Sequence, residues 1–151
     1  MTPSNINILY NYAKRYEDGI GVYRDLDLAI GFYQKAAERG FVNIQYHLAK
    51  MFDEGVKVKQ DLEYAAFWYK KAAVGGLSDA QAALGMLYEK GRGVTQDFTQ
   101  ASLWYTEAAA QGNTDALRSM ERMKKTPHVE EFFFYTPINE TVALSPLFPP
   151  S

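Results

Sequence analysis

The chain has 151 residues, 47% of them hydrophobic and 23% charged, which suits one folded domain and excludes a chain that is disordered as a whole. Its formal charge of −2 gives no general attraction to nucleic acid, which we therefore exclude as a partner. Because the chain contains no cysteine, disulfide frameworks, cysteine-ligated metals and thiol nucleophiles are also excluded.

No segment of the sequence predicts membrane insertion or export. No apolar run approaches the ~20 residues that a membrane-spanning helix needs. Residues 1–10 lack the basic stretch followed by an apolar run that a secretory signal would show. We therefore expect no membrane insertion and, by default, a cytoplasmic location.

An internal repeat of 36 residues organises the sequence, beginning with the turn glycines Gly19, Gly55 and Gly91. Valine, aspartate, aromatic, alanine and glycine positions follow in the same register: Val22, Val58 and Val94; Asp25, Asp61 and Asp97; Phe32, Trp68 and Trp104; Tyr33, Tyr69 and Tyr105; Ala36, Ala72 and Ala108; Gly40, Gly76 and Gly112. A fourth unit begins at Asp115 and breaks off near Lys125. The sequence therefore predicts three full repeats and a half repeat.

Each repeat predicts two helices. An apolar stripe at helical spacing predicts the first helix of each unit. Its positions are Ile8, Tyr12, Arg15 and Tyr16, then Ile44, Leu48, Met51 and Phe52, then Ala80, Leu84, Leu87 and Tyr88, with Arg15 as the single misfit. The second helices are predicted to begin at Asp25, Asp61 and Asp97, which can cap them, and to end before Gly40, Gly76 and Gly112. Asn43, Asp79 and Asp115 are predicted to cap the first helices of the following units.

These elements predict an all-α fold, a right-handed α/α solenoid of antiparallel helix pairs, because each pair can finish burying its apolar face only against its neighbours. We assign residues 1–125 to the solenoid. Residues 126–151 form a separate, non-helical C-terminal tail, since five of the six prolines lie there.

The third repeat resembles the Sel-1-like repeat, a relative of the tetratricopeptide repeat. The resemblance rests on Leu84, Gly85, Leu87, Tyr88, Gly91, Gly93, Val94, Asp97, Ala101, Trp104, Tyr105, Ala108 and Gly112. In repeat two, Lys57 stands where the second turn glycine is expected, so its turn should differ. Ala13 and Ala49 replace Gly85, a small-for-small change. The resemblance implies a protein-binding adaptor or scaffold with a concave binding surface, and it implies no substrate.

If the first helices line that concave surface, its variable positions are the candidate partner-binding residues for a protein or peptide. These are Tyr10, Asn11 and Lys14; Tyr46, His47, Lys50 and Asp53; Ala82, Ala83 and Met86; and Arg118, Ser119 and Arg122. The spacing of Tyr10 with Lys14 and of Tyr46 with Lys50 places an aromatic and a cationic group on one helix face. Aromatic and arginine side chains are favoured anchors in interfaces.

The sequence predicts no enzyme. Glu17, Asp53 and Glu89 recur at one repeat position beside the turn, which favours a structural or solvated role over a catalytic one. His47 and His128 are the only histidines, and neither has neighbours at ligand spacing for a metal or a catalytic triad. We expect no catalytic residue, no metal and no cofactor, although a small hydrolase that uses the three acids stays a minor alternative.

The tail is acidic and aromatic. It has a formal charge of −3, against +1 for residues 1–125. Its predicted contact residues are Glu130, Glu131, Phe132, Phe133, Phe134 and Tyr135. Three roles are open: a cap on the last helix, an internal ligand or self-association arm in the groove, and a recognition segment for another protein.

Two functional classes follow from the sequence. The first is an adaptor that binds a partner through the concave surface. The second is a secreted or surface repeat protein that binds a host or cell-envelope target.

Overall fold

The computed structural model describes residues 3–126 of the chain. Over this range every regular element is an α-helix, and there are seven. They are α1 (Pro3–Asp18), α2 (Leu26–Ala37), α3 (Val42–Glu54), α4 (Leu62–Val74), α5 (Ser78–Lys90), α6 (Phe98–Ala110) and α7 (Thr114–Lys124). The helices form three consecutive pairs and one last single helix, so the predicted all-α helical repeat solenoid is confirmed.

The second helix of every pair begins at its predicted cap. The carboxylates of Asp25, Asp61 and Asp97 accept from the backbone N–H groups three residues later, at 3.0–3.1 Å. Each bond satisfies a donor that has no partner within its helix. The predicted glycines that follow these helices, Gly40, Gly76 and Gly112, have positive φ.

The predicted caps of the first helices are wrong. Asn43, Asp79 and Asp115 are each the second residue of a helix rather than the residue before it. Phe41 and Leu77 begin α3 and α5 without a side-chain cap, and Asn113 caps α7 by accepting from Ala116 N. All three helices begin two residues earlier than predicted, because the positive-φ glycine turns the chain directly into the next helix.

The turn inside repeat two differs from the other two, as predicted. In repeats one and three the second turn glycines, Gly21 and Gly93, have positive φ. Lys57 occupies the same position in repeat two, and no non-glycine residue among residues 3–126 has positive φ. The backbone at Lys57 therefore takes a different path.

Each helix packs against the next helix in the chain, and α5 also contacts α7. Small residues lie where helices approach closely, since Ala13 and Ala49 are fully buried and the equivalent Gly85 faces the ring of Tyr105. Leu48 and Leu84 are fully buried between successive pairs, a burial that contributes ~1.5–3 kcal/mol for each such side chain. The buried residues form one cluster over α1 to α5 and a second over α6 and α7, and Tyr88 packs against both.

Buried glutamines join successive repeats. Gln45 Nε2 donates to the carbonyl oxygen of Ala37 at 2.9 Å, and Gln81 Nε2 donates to that of Ala73 at 3.1 Å. Each glutamine is thus a second donor to a carbonyl in the last turn of the preceding helix, which also accepts from the N–H of the glycine three residues later.

The apolar stripe predicted for the first helix is buried in α3 and α5 but not in α1. Ile8 is 50% exposed and Tyr12 is 44% exposed, whereas the equivalent Ile44 and Leu48 are buried. The prediction was wrong for α1 because no helix pair precedes it in the structure. Its buried residues are instead Ile6, Ala13 and Glu17.

The opposite end of the solenoid has a more polar outer face. Glu121 on α7 is exposed and occupies the position at which the earlier first helices have Ala13, Ala49 and Gly85. The inner face of α7 buries Met120 and Met123. α7 is thus the last helix of the described residues, and it packs against the third repeat through these methionines.

The N-cap role can be tested at repeat three. Replacing Asp97→Ala removes the acceptor for Gln100 N and should lower the free energy of unfolding by about 1 kcal/mol. Asp115→Ala is the matched control, because this exposed aspartate lies inside the first turn of α7 and contributes only a few tenths of a kcal/mol, about 0.3, through the helix dipole. Urea denaturation measures both changes, and equal losses would contradict the assigned cap.

Candidate functional site

A tyrosine hydroxyl meets a carboxylate in every full repeat. The tyrosine lies on the second helix, 16 residues after the acid on the first. Tyr33 donates to Glu17, Tyr69 donates to Asp53 at 3.0 Å, and Tyr105 donates to Glu89 at 2.7 Å. Glu17 and Glu89 are only 3% and 5% exposed. These pairs tie the two helices of each repeat together.

A cation from the following repeat completes each pair. Lys57 Nζ lies 2.7 Å from Glu17 Oε1, and Arg92 Nη2 lies 3.2 Å from Asp53 Oδ1. Arg122 binds Glu89 with both guanidinium nitrogens, one of them at 2.8 Å from Oε2. The acids therefore link neighbouring repeats, and the structural role predicted for them is confirmed for Glu17 and Glu89.

These contacts set the pKa of the buried acids. Burial alone would raise the pKa of Glu17, but hydrogen bonds from Lys57 and Tyr33 outweigh it and lower the pKa to about 2. Arg122 and Tyr105 likewise lower the pKa of Glu89 against the effect of burial. Both acids are therefore held in their ionised form at neutral pH.

The exposed faces of the first helices form one surface, which we call the first-helix surface: the outward residues of α1, α3, α5 and α7. At its start, Tyr33 from α2 lies between two predicted site residues. The Tyr10 ring centroid is 6.1 Å from that of Tyr33, and the His47 ring makes an edge contact with it at 4.8 Å. Tyr10 is 39% exposed. An aromatic patch therefore spans repeats one and two.

The same arrangement recurs one repeat later. The ring of Tyr46 lies 5.7 Å from that of Tyr69, and Lys50 Nζ lies 5.8 Å from the centroid of Tyr46. Such a position allows a cation–π contact. Lys50 also pairs with Glu54 at 3.7 Å. The predicted pairing of an aromatic and a cationic group on one face of α3 is thus present.

Two cavities open along the first-helix surface. One, of about 230 Å³, is lined by Glu17, His47, Lys50, Met51, Glu54, Val56 and Lys57. The other, of about 260 Å³, lies between α3, α5 and α7 and is lined by Tyr46, Asp79, Ala82, Ala83, Met86, Tyr105, Asn113, Asp115 and Ser119. We call the second one the α5–α7 pocket. Each is several times the ~30 Å³ that one water molecule occupies in the liquid.

The model of the Sel1 repeat matches residues 9–41, 44–76 and 78–113, and each match overlaps one helix pair. The chain belongs to the Sel1 repeat family. Sel1 repeat proteins are generally protein-interaction scaffolds, and their fold is typically non-catalytic. No curated protein matches the sequence.

Solved Sel1 structures resemble this chain closely. A Sel1 repeat protein from Oxalobacter formigenes is 38% identical with a TM-score of 0.69, over 78% of this chain and 88% of that one. The antigen c5321 of uropathogenic Escherichia coli is 34% identical with a TM-score of 0.72, over 81% of this chain but 26% of its own length. Cysteine rich protein B of Helicobacter pylori shares the fold at 24% identity, with a TM-score of 0.58 over 78% of this chain and 96% of that one.

The structure brings part of the predicted site of this Sel1 chain together. Tyr46, Ala82, Ala83, Met86 and Ser119 line the α5–α7 pocket. Tyr10 and His47 both contact the ring of Tyr33. Asn11 and Arg118 are exposed on α1 and α7, and Arg118 pairs with Asp115 at 3.3 Å.

Three other predicted site residues are engaged inside the Sel1 repeats. Lys14 pairs with Glu17 at 3.5 Å, Asp53 accepts from Tyr69, and Arg122 binds Glu89. They contribute to the joints between helices. Their part in partner binding stays a prediction, and the predicted tail contacts, residues 130–135, lie outside the described residues.

Sequence reasoning missed the tyrosines and two of the cations that surround the acids, namely Tyr33, Tyr69, Tyr105, Lys57 and Arg92. The constant spacing of 16 residues from acid to tyrosine was a signal for the first three. The cations carry a weaker signal, because Lys57 and Arg92 occupy adjacent rather than equivalent repeat positions.

The part of the chain that the structure describes contains neither a candidate metal site nor a candidate membrane span. No three of its histidine, aspartate and glutamate side chains are grouped so that they could hold a metal ion. Among the helices of residues 3–126, none combines the length and the hydropathy required to cross a bilayer.

Proposed function

We propose that this chain is an adaptor that binds a segment of a partner protein on its first-helix surface. The observation that carries the proposal is the row of aromatic side chains along that surface, from Tyr10 through His47 to Tyr46, which leads into an open pocket. Rigid aromatic groups beside a cavity suit the anchor residues of a peptide. The general scaffold role of Sel1 repeat proteins supports the same conclusion.

The charge and exposure of this row favour a protein ligand. Met86 is 39% exposed and lies beside the half-buried Tyr46 at the pocket. Acidic and basic side chains alternate around them, with Lys50 on one side and Asp79 on the other. An apolar centre with a mixed polar border is the usual anatomy of a protein interface.

A peptide-display selection on the full chain tests the proposal. Peptides from a random library that bind the immobilised protein should lose affinity by about tenfold or more when Tyr46→Ala and Lys50→Ala are combined. The reason is that the double substitution removes an aromatic wall of the pocket and the adjacent cation. Binding is measured by fluorescence polarisation of the selected peptides.

A matched control lies on the second helix of the same repeat. Phe67 and Lys71 have the same spacing as Tyr46 and Lys50, and Lys71 Nζ lies 5.5 Å from the centroid of Phe67. Combining Phe67→Ala with Lys71→Ala should leave peptide affinity unchanged. Circular dichroism verifies that both double variants keep their helices. Loss of binding in the α4 variant alone would place the site on the second helices and overturn the proposal.

A secreted or surface-exposed binding protein is the second candidate. It is favoured by the 34% identity to c5321, which is described as a protective antigen present in uropathogenic Escherichia coli strains. Fractionation of the organism that encodes the chain distinguishes the two candidates. Recovery from the medium or the cell surface supports the second candidate, and recovery from the cytoplasm contradicts it.

A further inference from the structure

The α5–α7 pocket lies where small side chains replace the two aromatic ones that cover Tyr33 in the first repeat. Ala82 occupies the repeat position of Tyr10 and Tyr46, and Ser119 occupies that of His47 two repeats later. Tyr10 and His47 both contact Tyr33, and Tyr46 contacts Tyr69. At the equivalent Tyr105, Ala82 and Ser119 leave this space open.

The walls of the pocket suit a long side chain with an apolar stem. Ala82, Ala83 and Met86 provide an apolar side from α5, and the rings of Tyr46 and Tyr105 provide two aromatic walls. Arginine buries its methylene groups on such surfaces while its charged end stays hydrated. Its planar guanidinium also stacks on aromatic rings.

The border of the pocket is acidic. Asp79 accepts from Asn113 at 3.0 Å, and both side chains line the pocket together with Asp115. Asp115 pairs with Arg118 in a contact of two highly exposed side chains, which contributes little, ~0–1 kcal/mol. Both carboxylates therefore remain available to a stronger, bidentate cationic partner.

The electrostatic field at the pocket is negative, as its acidic border implies. Burial raises the pKa of Tyr46, and the carboxylates of Asp79, Glu54, Asp115 and Asp53 raise it further. Negative charge from three helices, α3, α5 and α7, thus acts on the tyrosine. Lys50 Nζ already lies 5.8 Å from the ring centroid, so a further cation in the pocket is attracted mainly by the carboxylates.

We propose that the α5–α7 pocket binds an arginine side chain of the partner peptide, with the guanidinium between the Tyr46 ring and Asp79. This inference rests on the proposed function and gives it a ligand chemistry. It assigns the anchor to repeat three, where Ala82 opens the surface, rather than to repeat one or two, where Tyr10 or Tyr46 occupies the equivalent position.

A titration with a minimal probe tests the inference. N-acetyl-arginine methylamide, added to the full chain, should shift the NMR signals of Tyr46, Ala82, Ala83 and Met86. The citrulline equivalent has nearly the same shape without the charge, and it should bind about tenfold more weakly, since charge-assisted hydrogen bonds are the stronger class. Equal affinity for the two probes, or shifts confined to other residues, would overturn the inference.

Two variants and a control locate the contact. Ala82→Tyr restores the side chain that repeats one and two carry, so it should fill the pocket, keep the fold and abolish the shifts. Asp79→Asn keeps the shape of the side chain and should weaken arginine binding about tenfold while citrulline binding is unchanged. Ala110→Tyr adds the same ring at an exposed position on α6 and should change neither. Undiminished binding to Ala82→Tyr contradicts the assignment.

The display selection separates this inference from the function on which it rests. Selected peptides that bind the first-helix surface without enrichment of arginine would overturn the arginine pocket and leave the adaptor function in place. Arginine-dependent shifts at the pocket together with a failure to select any peptide would overturn the adaptor function and leave a small-molecule arginine site.

Discussion

Replacing Glu17→Gln should lower the free energy of unfolding by about 2–3 kcal/mol at neutral pH. The substitution removes the charge that Lys57 contacts at 2.7 Å and leaves that cation beside a neutral, buried amide. The pKa of Glu17 in the folded chain is about 2, below its ordinary value of 4.5. Its contribution is therefore complete above pH 4.5 and is lost as the pH falls towards 2.

Chemical denaturation at several pH values tests this prediction. The stability difference between the native chain and Glu17→Gln should be largest at neutral pH and shrink below pH 4.5. Asp18→Asn is the matched control, because the neighbouring side chain contacts the same lysines from a more exposed position, at 3.2 Å from Lys14 and 3.9 Å from Lys57. It should cost less than about 1 kcal/mol. A difference that does not depend on pH would contradict the assigned role of the Glu17 charge.

Replacing Gly93→Ala should destabilise the chain by about 3 kcal/mol or more. Gly93 has φ +72°, a conformation that L side chains rarely adopt, and an added Cβ would meet the carbonyl group of Leu62, with its carbon at 2.6 Å. This carbonyl is backbone at the start of α4, so it cannot move aside as a flexible side chain would. The turn of repeat three would have to shift away from repeat two.

The Gly112→Ala variant measures the cost of the backbone conformation alone, without a steric clash of the added Cβ. Gly112 has φ +87°, but an added Cβ would have no neighbour within 4 Å. We expect this control to cost only about 1 kcal/mol, from the backbone conformation alone. Urea midpoints of the two variants provide the comparison. Similar losses for Gly93→Ala and Gly112→Ala would show that the contact with Leu62 carries no cost.

The repeated features of the fold could be predicted from the sequence, and the end effects could not. The 36-residue register predicted the helix pairs and the caps at Asp25, Asp61 and Asp97, because each depends on local backbone chemistry that recurs. The burial of Ile8 and Tyr12 was predicted from their equivalents in later repeats. That inference failed because burial depends on a neighbouring pair, which α1 lacks on its outer side.

The candidate site was predictable only in part. Helical spacing correctly placed Tyr46 beside Lys50, since that relation lies within one helix. The α5–α7 pocket was not predicted. Ala82 indicates an open space only when its position is compared with that of Tyr46, and when the structure shows that the ring of Tyr105 beside it is left uncovered. The salt bridge between Glu89 and Arg122 was not predicted either, because the two residues lie 33 positions apart and come into contact only when the repeats stack.

The origin of each cation has a consequence for how the chain unfolds. Each of the three acids is paired with a cation from the next repeat, while Glu17 and Glu89 also lie near a lysine of their own helix, at 3.5 Å and 3.7 Å. If α7 were to fray, Glu89 would lose Arg122 and keep only the longer contact with Lys90, so local opening at this end would leave its charge less well compensated. Each repeat is thereby stabilised by a side chain of the repeat that follows it. We therefore expect the repeats to unfold together rather than one at a time.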